Sequence, residues 1–255
     1  MRELLAERPW GISAWSRACA LYLIQQTQPE DGPALAMLGV ADASPLVREA
    51  AVLTLWRLTP TWLAQFAPTL RSDPSPLVRR LRRLANQSPE ETTMLLTVEK
   101  VLILKTVPIF AAVPDAVLVD VAEALQEVEM AAGELLVRQG EPGNTLFILV
   151  RGRLRVHVGE ETVAFLEERD IAGEMAVLDP GPRSASVSAV ADSHLLRLER
   201  EVLYELMQDH LEVLQAVLRV LTQRLRTAAS LNLEQQARGQ AASITDTMWA
   251  KVKGQ

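Results

Sequence analysis

Cysteine is almost absent from this sequence of 255 residues, and Cys19 is the single example. One thiol cannot form an intrachain disulfide, and it cannot supply the thiolate ligands of a zinc cluster. A chain that folds without disulfides suits a reducing compartment, so we expect a cytoplasmic location. The three histidines, His157, His194 and His210, do not have the spacing of metal ligands, and we expect no metal site.

An excess of basic residues and long apolar runs are absent as well. The formal net charge is -6, whereas general nucleic-acid binders usually carry a basic face. Arg57 interrupts one apolar stretch and Lys105 with Pro108 interrupts another, so neither is long enough to cross a bilayer. The first eight residues contain acids where a signal peptide has its apolar core. We expect a soluble protein or the cytoplasmic part of a membrane protein, with no nucleic-acid partner.

The motifs of common enzyme classes are missing too. The sequence contains no Gly-x-Ser-x-Gly nucleophile motif, no Walker lysine loop and no cysteine–histidine pair. No pair of residues for general acid and base catalysis stands out, and Asp179, an acid in a predicted loop, is a weak candidate. We therefore expect no enzymatic activity and no catalytic residues. The hydrophobic content of 49% is that of an ordinary globular protein, and the length allows two modest domains.

The first third of the sequence contains an internal repeat. The segment Asp-Ala-Ser-Pro-Leu-Val-Arg, from Asp42 to Arg48, returns as Asp-Pro-Ser-Pro-Leu-Val-Arg from Asp73 to Arg79. The two copies are 31 residues apart, and the same offset back from Arg48 reaches Arg17. Aspartate and serine can cap a helix N-terminus, and proline fits the first helical position. The sequence therefore predicts two clear helical repeats and one degenerate repeat between residues 9 and 85.

The repeated pattern resembles that of HEAT repeats. In that family the aspartate and the arginine tie neighbouring helix pairs together, so the resemblance implies structural roles for Asp42, Arg48, Asp73 and Arg79. A generic helical bundle with one duplicated hairpin is the alternative. In either case stacked helix pairs provide surfaces for other proteins or domains.

The hydrophobic pattern changes in the second half. Ser88 and Pro89 predict the start of a helix that runs to about Lys105, and Pro114 with Asp115 predicts another. Short alternating segments bounded by glycines then predict strands over 135–137, 146–150, 153–158, 163–166, 185–190 and 195–198. The predicted fold class is α+β: all-α HEAT-like repeats over 1–92, a jelly-roll-like β-roll with flanking helices over 93–230, and a tail over 231–255.

The segment from Gly173 to Val187 interrupts this series of strands. Glu174 lies at the start of a predicted helical turn, a Pro-Gly-Pro loop follows, and Arg183 precedes the next strand. A helix N-terminus has free N–H groups for an anion, an arginine fork suits a phosphate, and a carboxylate accepts hydrogen bonds from hydroxyls. The segment therefore predicts a site for a molecule that carries both a phosphate and a sugar.

The order Gly-Glu-Met-Ala, a short loop and Pro-Arg-Ser-Ala-Ser-Val resembles the phosphate-binding cassette of the cyclic nucleotide-binding domain family, which includes catabolite activator protein and the regulatory subunits of protein kinase A. Gly140-Glu141-Pro142-Gly143 and the following Leu-Phe-Ile strand match that family too, and the resemblance covers about residues 98–226. It implies cAMP as ligand, with cGMP as an alternative, and no cofactor. A β-roll that keeps the fold and binds nothing is the other alternative.

The resemblance also implies roles for individual residues. Glu174 would accept the ribose 2′-OH, and Gly173 would allow close approach of the backbone. Arg183 would pair with the cyclic phosphate, and Ser184 would donate to the phosphate or meet the edge of the purine. The backbone N–H groups implied in phosphate binding are those of Met175, Ala176 and Ala185. Because Ser184 suits both nucleotides, it does not identify the base.

The C-terminal segment from residue 201 to residue 226 predicts one helix with a leucine seam. The leucines are Leu211, Leu214, Leu218, Leu221 and Leu225. Packing of this seam on the same chain is one interpretation, and a homodimer through the C-terminal helix is the other, since such helices often dimerise in the family. The resemblance implies that Leu221, Arg224 or Leu225 covers the purine.

A DNA-binding output is not expected, because residues 227–255 are too few and too poor in basic residues for a helix-turn-helix unit. The combination of repeats and β-roll resembles the soluble regulatory part of some bacterial carriers of the ATP/ADP translocase and major-facilitator types, which implies contact with a membrane carrier domain. We predict a cyclic nucleotide sensor, most simply for cAMP, that couples ligand binding to a helix and interdomain rearrangement. The alternative is a HEAT-based protein-interaction scaffold with a non-binding β-roll.

Overall fold

The computed structural model describes residues 12–87, 89, 94–179, 181–222 and 226. Within these residues the chain forms a helical part, followed by two antiparallel sheets with further helices around them. The predicted combination of helices with an antiparallel β-roll is confirmed. No helix in these ranges is both long enough and apolar enough to span a membrane.

The helical part contains two helices that begin at Pro45 and Pro76, where the repeated Ser-Pro segments predict a start. Its elements are α1 (Ala14–Thr27), α2 (Gly32–Met37), α3 (Pro45–Leu58), α4 (Pro60–Arg71), α5 (Pro76–Arg79) and a 3-10 helix (Arg80–Asn86). Proline occupies the first position of α3, α4 and α5, where its missing N–H leaves no hydrogen bond unmade. Fully buried apolar side chains hold these helices together, among them Leu21, Ile24, Val47, Leu53 and Leu63.

Two arginine–aspartate pairs join successive units of the helical part. Arg17 donates from Nε and Nη2 to the carboxylate of Asp42 at 2.9 and 2.8 Å. Arg48 makes the same two bonds to Asp73, both at 2.9 Å, and its Nη1 donates to the carbonyl of Asp42 at 2.8 Å. Among the described residues, Arg79 repeats only the contact with the backbone: its Nη1 donates to the carbonyl of Asp73 at 2.7 Å. Each of the two paired arginines therefore links its own helix to an aspartate in the loop of the next unit.

Eight strands form the β-roll. They are β1 (Gln126–Met130), β2 (Leu135–Val137), β3 (Thr145–Arg151), β4 (Leu154–Val158), β5 (Glu161–Leu166), β6 (Ile171–Ala172), β7 (Ser186–Ala189) and β8 (Ser193–Glu199). One sheet has the order β1-β8-β3-β6 and the other β2-β7-β4-β5. The side chains between them form a small apolar core of Met130, Phe147, Leu149, Leu154, Ala172, Val187, Ala189 and Leu195. The predicted strands are present, and β1 and β6 are additional.

Helices cover the outer face of the first sheet. They are α6 (Thr97–Thr106), α7 (Asp115–Ala124), α9 (Arg200–Asp209) and α10 over 211–222, and a short helix α8 (Glu174–Leu178) lies between β6 and β7. Leu146 and Ile148 of β3 pack into a second core with these helices. The sheet is therefore buried on both faces, which fixes β3 and β8 beside the cassette segment.

Two predicted helices differ from the structure. The helix expected from Ser88 begins at Thr97, where Glu99 accepts a hydrogen bond from the N–H of Leu96 at 2.7 Å and caps the first turn. The single helix expected over 201–226 is divided at His210, whose φ of -130° and ψ of 98° end α9. Within the described residues the C-terminal segment therefore consists of two helices that meet at His210.

Buried charges connect the helical part to α6. Glu49 on α3 is 1% exposed and accepts hydrogen bonds from Arg80 at 2.5 Å and from the N–H of Thr97 at 3.3 Å. Burial raises the pKa of the Glu49 carboxyl. On the other side of α6, the buried Lys100 pairs with Glu127 of β1 at 2.9 Å. Helix α6 is thus held by the helical part and by the β-roll at once.

Candidate functional site

The structure brings seven predicted site residues to the lining of one cavity of about 350 Å³. They are Gly173, Glu174, Met175, Ala176, Arg183, Ser184 and Ala185. Apolar side chains from both sheets also line the cavity, namely Val137, Val156, Leu166, Ile171 and Val187. A lining that combines charged and polar groups with apolar side chains suits a small ligand with a charged part and a flat apolar part.

Helix α8 starts at a residue that only glycine can occupy. Gly173 has a φ of 85°, in the left-handed region. A Cβ atom there would lie 2.1 Å from Nη1 of Arg183 and 2.5 Å from the carbonyl oxygen of Thr145. The missing side chain therefore lets the start of α8 approach both the arginine and β3, and the first turn of α8 leaves its N–H groups free of intrahelical acceptors.

Arg183 is buried at the cavity, with an exposed fraction of 8%. Its Nη2 donates to the carbonyl oxygen and to Oγ1 of Thr145, both at 2.9 Å. Its Nη1 is buried and finds no hydrogen-bond acceptor among the described residues. Burial lowers the pKa of Arg183, and the nearby positive charge of Arg200 lowers it further, while Glu174 opposes them. A buried N–H without an acceptor costs about 1–3 kcal/mol, which an anion in the cavity could recover.

The loop between β2 and β3 holds the backbone of Arg183 in place. The N–H of Arg183 donates to the carbonyl of Glu141 at 2.8 Å, and the N–H of Gly140 donates to the carbonyl of Arg183 at 2.9 Å. A Cβ atom on Gly143 would lie 2.6 Å from Nε of Arg183. The arginine side chain therefore passes between two glycines, Gly143 and Gly173, and both are needed for its path.

Sequence reasoning missed two residues that hold α8 from its other end. Arg200 donates from Nε to the carbonyl of Val177 at 3.2 Å and from Nη2 to the carbonyl of Ala176. The hydroxyl of Tyr204 donates to the carbonyl of Leu178 at 3.0 Å. The one available signal was an arginine in the first turn of a helix, where it opposes the helix dipole.

The residues predicted to cover the purine do not line the cavity in the described part of the chain, whereas Ser184 does. Leu221 lies on α10, is 37% exposed and does not line the cavity. Arg224 and Leu225 lie outside the described residues. Ser184 is exposed and lines the cavity.

Comparisons with known proteins agree with this geometry. Residues 127–210 match the family described as Cyclic nucleotide-binding domain. A CRP-like cAMP-activated global transcriptional regulator of Mycobacterium tuberculosis is 29% identical over 129 residues, which are 49% of this chain and 58% of the regulator. The mouse cGMP-dependent protein kinase 2 is 35% identical over 89 residues, which are 35% of this chain and 12% of the kinase.

A solved structure is similar as well. The crystal structure of the N-terminal domain of a transcriptional regulator from Streptomyces coelicolor has a TM-score of 0.48 and 29% identity, covering 50% of this chain and 93% of that chain. The chain therefore spans about half the length of the matched curated regulator and a small part of the kinase. The predicted resemblance to the cyclic nucleotide-binding domain is confirmed for residues 127–210.

Proposed function

We propose that this chain is a cyclic nucleotide sensor without enzymatic activity, and that the cavity beside α8 binds the ligand. The observation that carries the proposal is the buried guanidinium of Arg183, whose Nη1 has no acceptor in the described part of the chain. A cyclic phosphate is a single, delocalised anion and fits one buried arginine. The match of residues 127–210 to the Cyclic nucleotide-binding domain supports the same ligand class.

Each cavity group has a proposed partner on the nucleotide. Arg183 binds the cyclic phosphate together with the N–H groups of Met175, Ala176 and Ala185. Glu174 accepts the ribose 2′-OH beside Gly173, and Ser184 contacts the phosphate or the purine. The shared cavity lining supports this assignment, since it combines the charged and polar groups of Glu174, Arg183 and Ser184 with apolar side chains of the strands.

We favour cAMP over cGMP as the ligand. The regulator matched over 129 residues is named as cAMP-activated, whereas the kinase matched over 89 residues is named for cGMP. Ser184 is compatible with both bases, so the choice rests on these relatives and is tested by direct competition of the two nucleotides.

Coupling of the ligand to the rest of the chain would pass through the C-terminal helices. Arg200 and Tyr204 on α9 hold the carbonyl end of α8, and His210 separates α9 from α10. A ligand that pulls on the start of α8 would therefore move α9 and change its angle to α10. The buried contacts of Glu49 and Glu127 with the α6 segment offer a route to the helical part.

The helical part is proposed to be a HEAT-like array over 1–92 that provides the output surface, beside a nucleotide-binding domain over 93–230. The arginine–aspartate pairs between successive loops support this assignment. Attachment to a membrane carrier domain is proposed as its context. The expected absence of a nucleic-acid partner stays a prediction, since it depends on residues beyond 226 that lie outside the described ranges.

A homodimer through the C-terminal helix is proposed as the assembly. Helix α10 buries Val213, Ala216 and Val217 against its own chain. The predicted seam lies on its other side, where Leu211 is 59% and Leu218 is 53% exposed. A helix with a second apolar face that no described residue buries suits a second copy of the same seam.

Titration calorimetry with cAMP and cGMP tests the sensor. We expect micromolar or tighter binding to the wild type, and loss of about 2–4 kcal/mol of binding free energy in Arg183→Ala, because a charge-assisted contact is removed. Arg153→Ala is the matched control, since its guanidinium pairs with Glu167 at the surface. No heat with either nucleotide would favour the scaffold with a non-binding β-roll.

A further inference from the structure

Arg200 makes more contacts around the cavity than its position at the start of a helix explains. Its backbone N–H donates to the carbonyl of Asn144 at 2.7 Å. Its Nη2 donates to the carbonyl of Gly143 at 2.5 Å and to that of Ala176, and its Nε donates to Val177 at 3.2 Å. One residue thus binds the loop before β3 and the last carbonyls of α8 at the same time.

The side-chain contacts do not serve α9 itself. Arg200 is the first residue of α9, where the positive end of the helix dipole disfavours a cation. Its side chain instead satisfies carbonyls of α8, a helix of only five residues that is too short to be stable without such outside contacts. The stabilising effect of Arg200 is therefore on the cavity wall.

The two elements that Arg200 ties together are those that enclose Arg183. A Cβ atom on Gly143 would lie 2.6 Å from Nε of Arg183 and 2.6 Å from Cβ of Ala176, so the loop, the arginine and α8 are packed without spare space. A shift of the loop away from α8 would widen the gap between them, and the Arg183 side chain in this gap would no longer be held in one position. Burial and then the charge of Arg200 lower the pKa of Arg183, so the two cations lie near each other.

We infer that Arg200 is a positioning residue of the anion site: it clamps α8 to the loop at Gly143 and Asn144, and thereby fixes the Arg183 guanidinium for the phosphate. The inference rests on the proposed nucleotide binding and extends the site to a residue that does not line the cavity. It implies that the effect of Arg200 on affinity depends on Arg183.

A double-mutant cycle with cAMP titration tests this dependence. We expect Arg200→Met to weaken cAMP binding about tenfold or more in the wild-type background, and Arg200→Lys, which can reach only part of the carbonyls, to weaken it less. In an Arg183→Lys background, which lacks the planar fork that Arg200 positions, Arg200→Met should change the affinity less than about twofold. Arg153→Met, a surface arginine, should leave the affinity unchanged in both backgrounds.

Equal losses in both backgrounds would mean that Arg200 supports the fold in general, and an unchanged affinity would remove its role; either result overturns the inference. Hydrogen exchange of the ligand-free protein distinguishes a failure of the Arg200 inference from a failure of nucleotide binding. If the wild type binds neither nucleotide, faster exchange over residues 174–179 in Arg200→Met, and not in Arg153→Met, still upholds the clamp. Unchanged exchange over those residues rejects it.

Discussion

Arg48 donates two hydrogen bonds of 2.9 Å to the carboxylate of Asp73 and thereby joins the loop before α3 to the loop before α5. Both side chains are 12% exposed, so the pair is largely shielded from water. Asp73 also accepts a hydrogen bond from the N–H of Ser75 at 2.8 Å, which fixes the start of α5. This one carboxylate therefore orders its own loop and holds the preceding unit.

Removal of the Asp73 charge should destabilise the helical part. Asp73→Asn keeps an oxygen for the N–H of Ser75 but loses the charged, two-fold contact with Arg48. We expect the free energy of unfolding in urea to fall by about 1–2 kcal/mol. Asp31→Asn is the matched control, because Asp31 is exposed and its side chain makes no capping hydrogen bond. Equal stabilities of the two variants would show that the pair contributes nothing.

The same carboxylate predicts a pH dependence. Arg48 is the main cause that holds the pKa of Asp73 below its usual value. Because the folded-state pKa is lowered, the contribution to stability is complete above the unfolded-state pKa of about 3.9 and is lost as the pH falls through the folded-state pKa. The difference in unfolding free energy between wild type and Asp73→Asn should therefore be constant from about pH 5 to 7 and shrink below about pH 4. A difference that stays constant into acid would contradict the assignment.

Gly173→Ala should abolish high-affinity nucleotide binding. The added Cβ would lie 2.1 Å from Nη1 of Arg183, so either α8 or the arginine must move. Gly133→Ala is the control, since Gly133 has a similar φ of 89° and open space around its Cβ position. Both variants should lose about 1–2 kcal/mol of stability from the left-handed backbone. Only Gly173→Ala should lose cAMP affinity, by about tenfold or more in titration calorimetry; equal affinities would show that the close approach is not needed.

Leu218→Glu should convert the proposed dimer into a monomer. Leu218 lies on the exposed seam of α10 with Leu211 and Leu221, and a buried carboxylate at that position would be unpaired in a dimer. Arg219→Glu is the control, because it introduces the same carboxylate at an exposed neighbouring position. Light scattering should report half the mass for Leu218→Glu and the dimer mass for Arg219→Glu. A monomeric wild type would reject the seam as a dimer interface.

The parts of the site that the sequence predicts are those that lie close together along the chain. Gly173, Glu174 and Arg183 fall within one short segment, and their residue types alone predict a site for a phosphate and a sugar. The contacts of Arg183 with Thr145 and of Arg200 with Gly143 cross 38 and 57 residues, and no local pattern marks such pairs. Long-range packing decides them, and a single sequence does not display it.

The errors in the helices have the same origin. Ser88 and Pro89 form a good local start signal, but α6 begins at Thr97 after Leu96, an apolar residue that carries no capping side chain. The cap comes from Glu99 inside the helix, and the buried Glu49 holds the first turn through a tertiary contact. Strand β1 was missed because its five residues, Gln-Glu-Val-Glu-Met, are mostly polar and are held by pairing with β8.

The shortness of α8 has a mechanical consequence. A helix of five residues is only about 7 Å long and lacks interior turns that could stretch or bend to absorb a displacement. Its first residue borders the cavity, and its last carbonyls are gripped by Arg200 and Tyr204. We therefore expect a displacement of the start of α8 either to move α9 with it or to break those bonds.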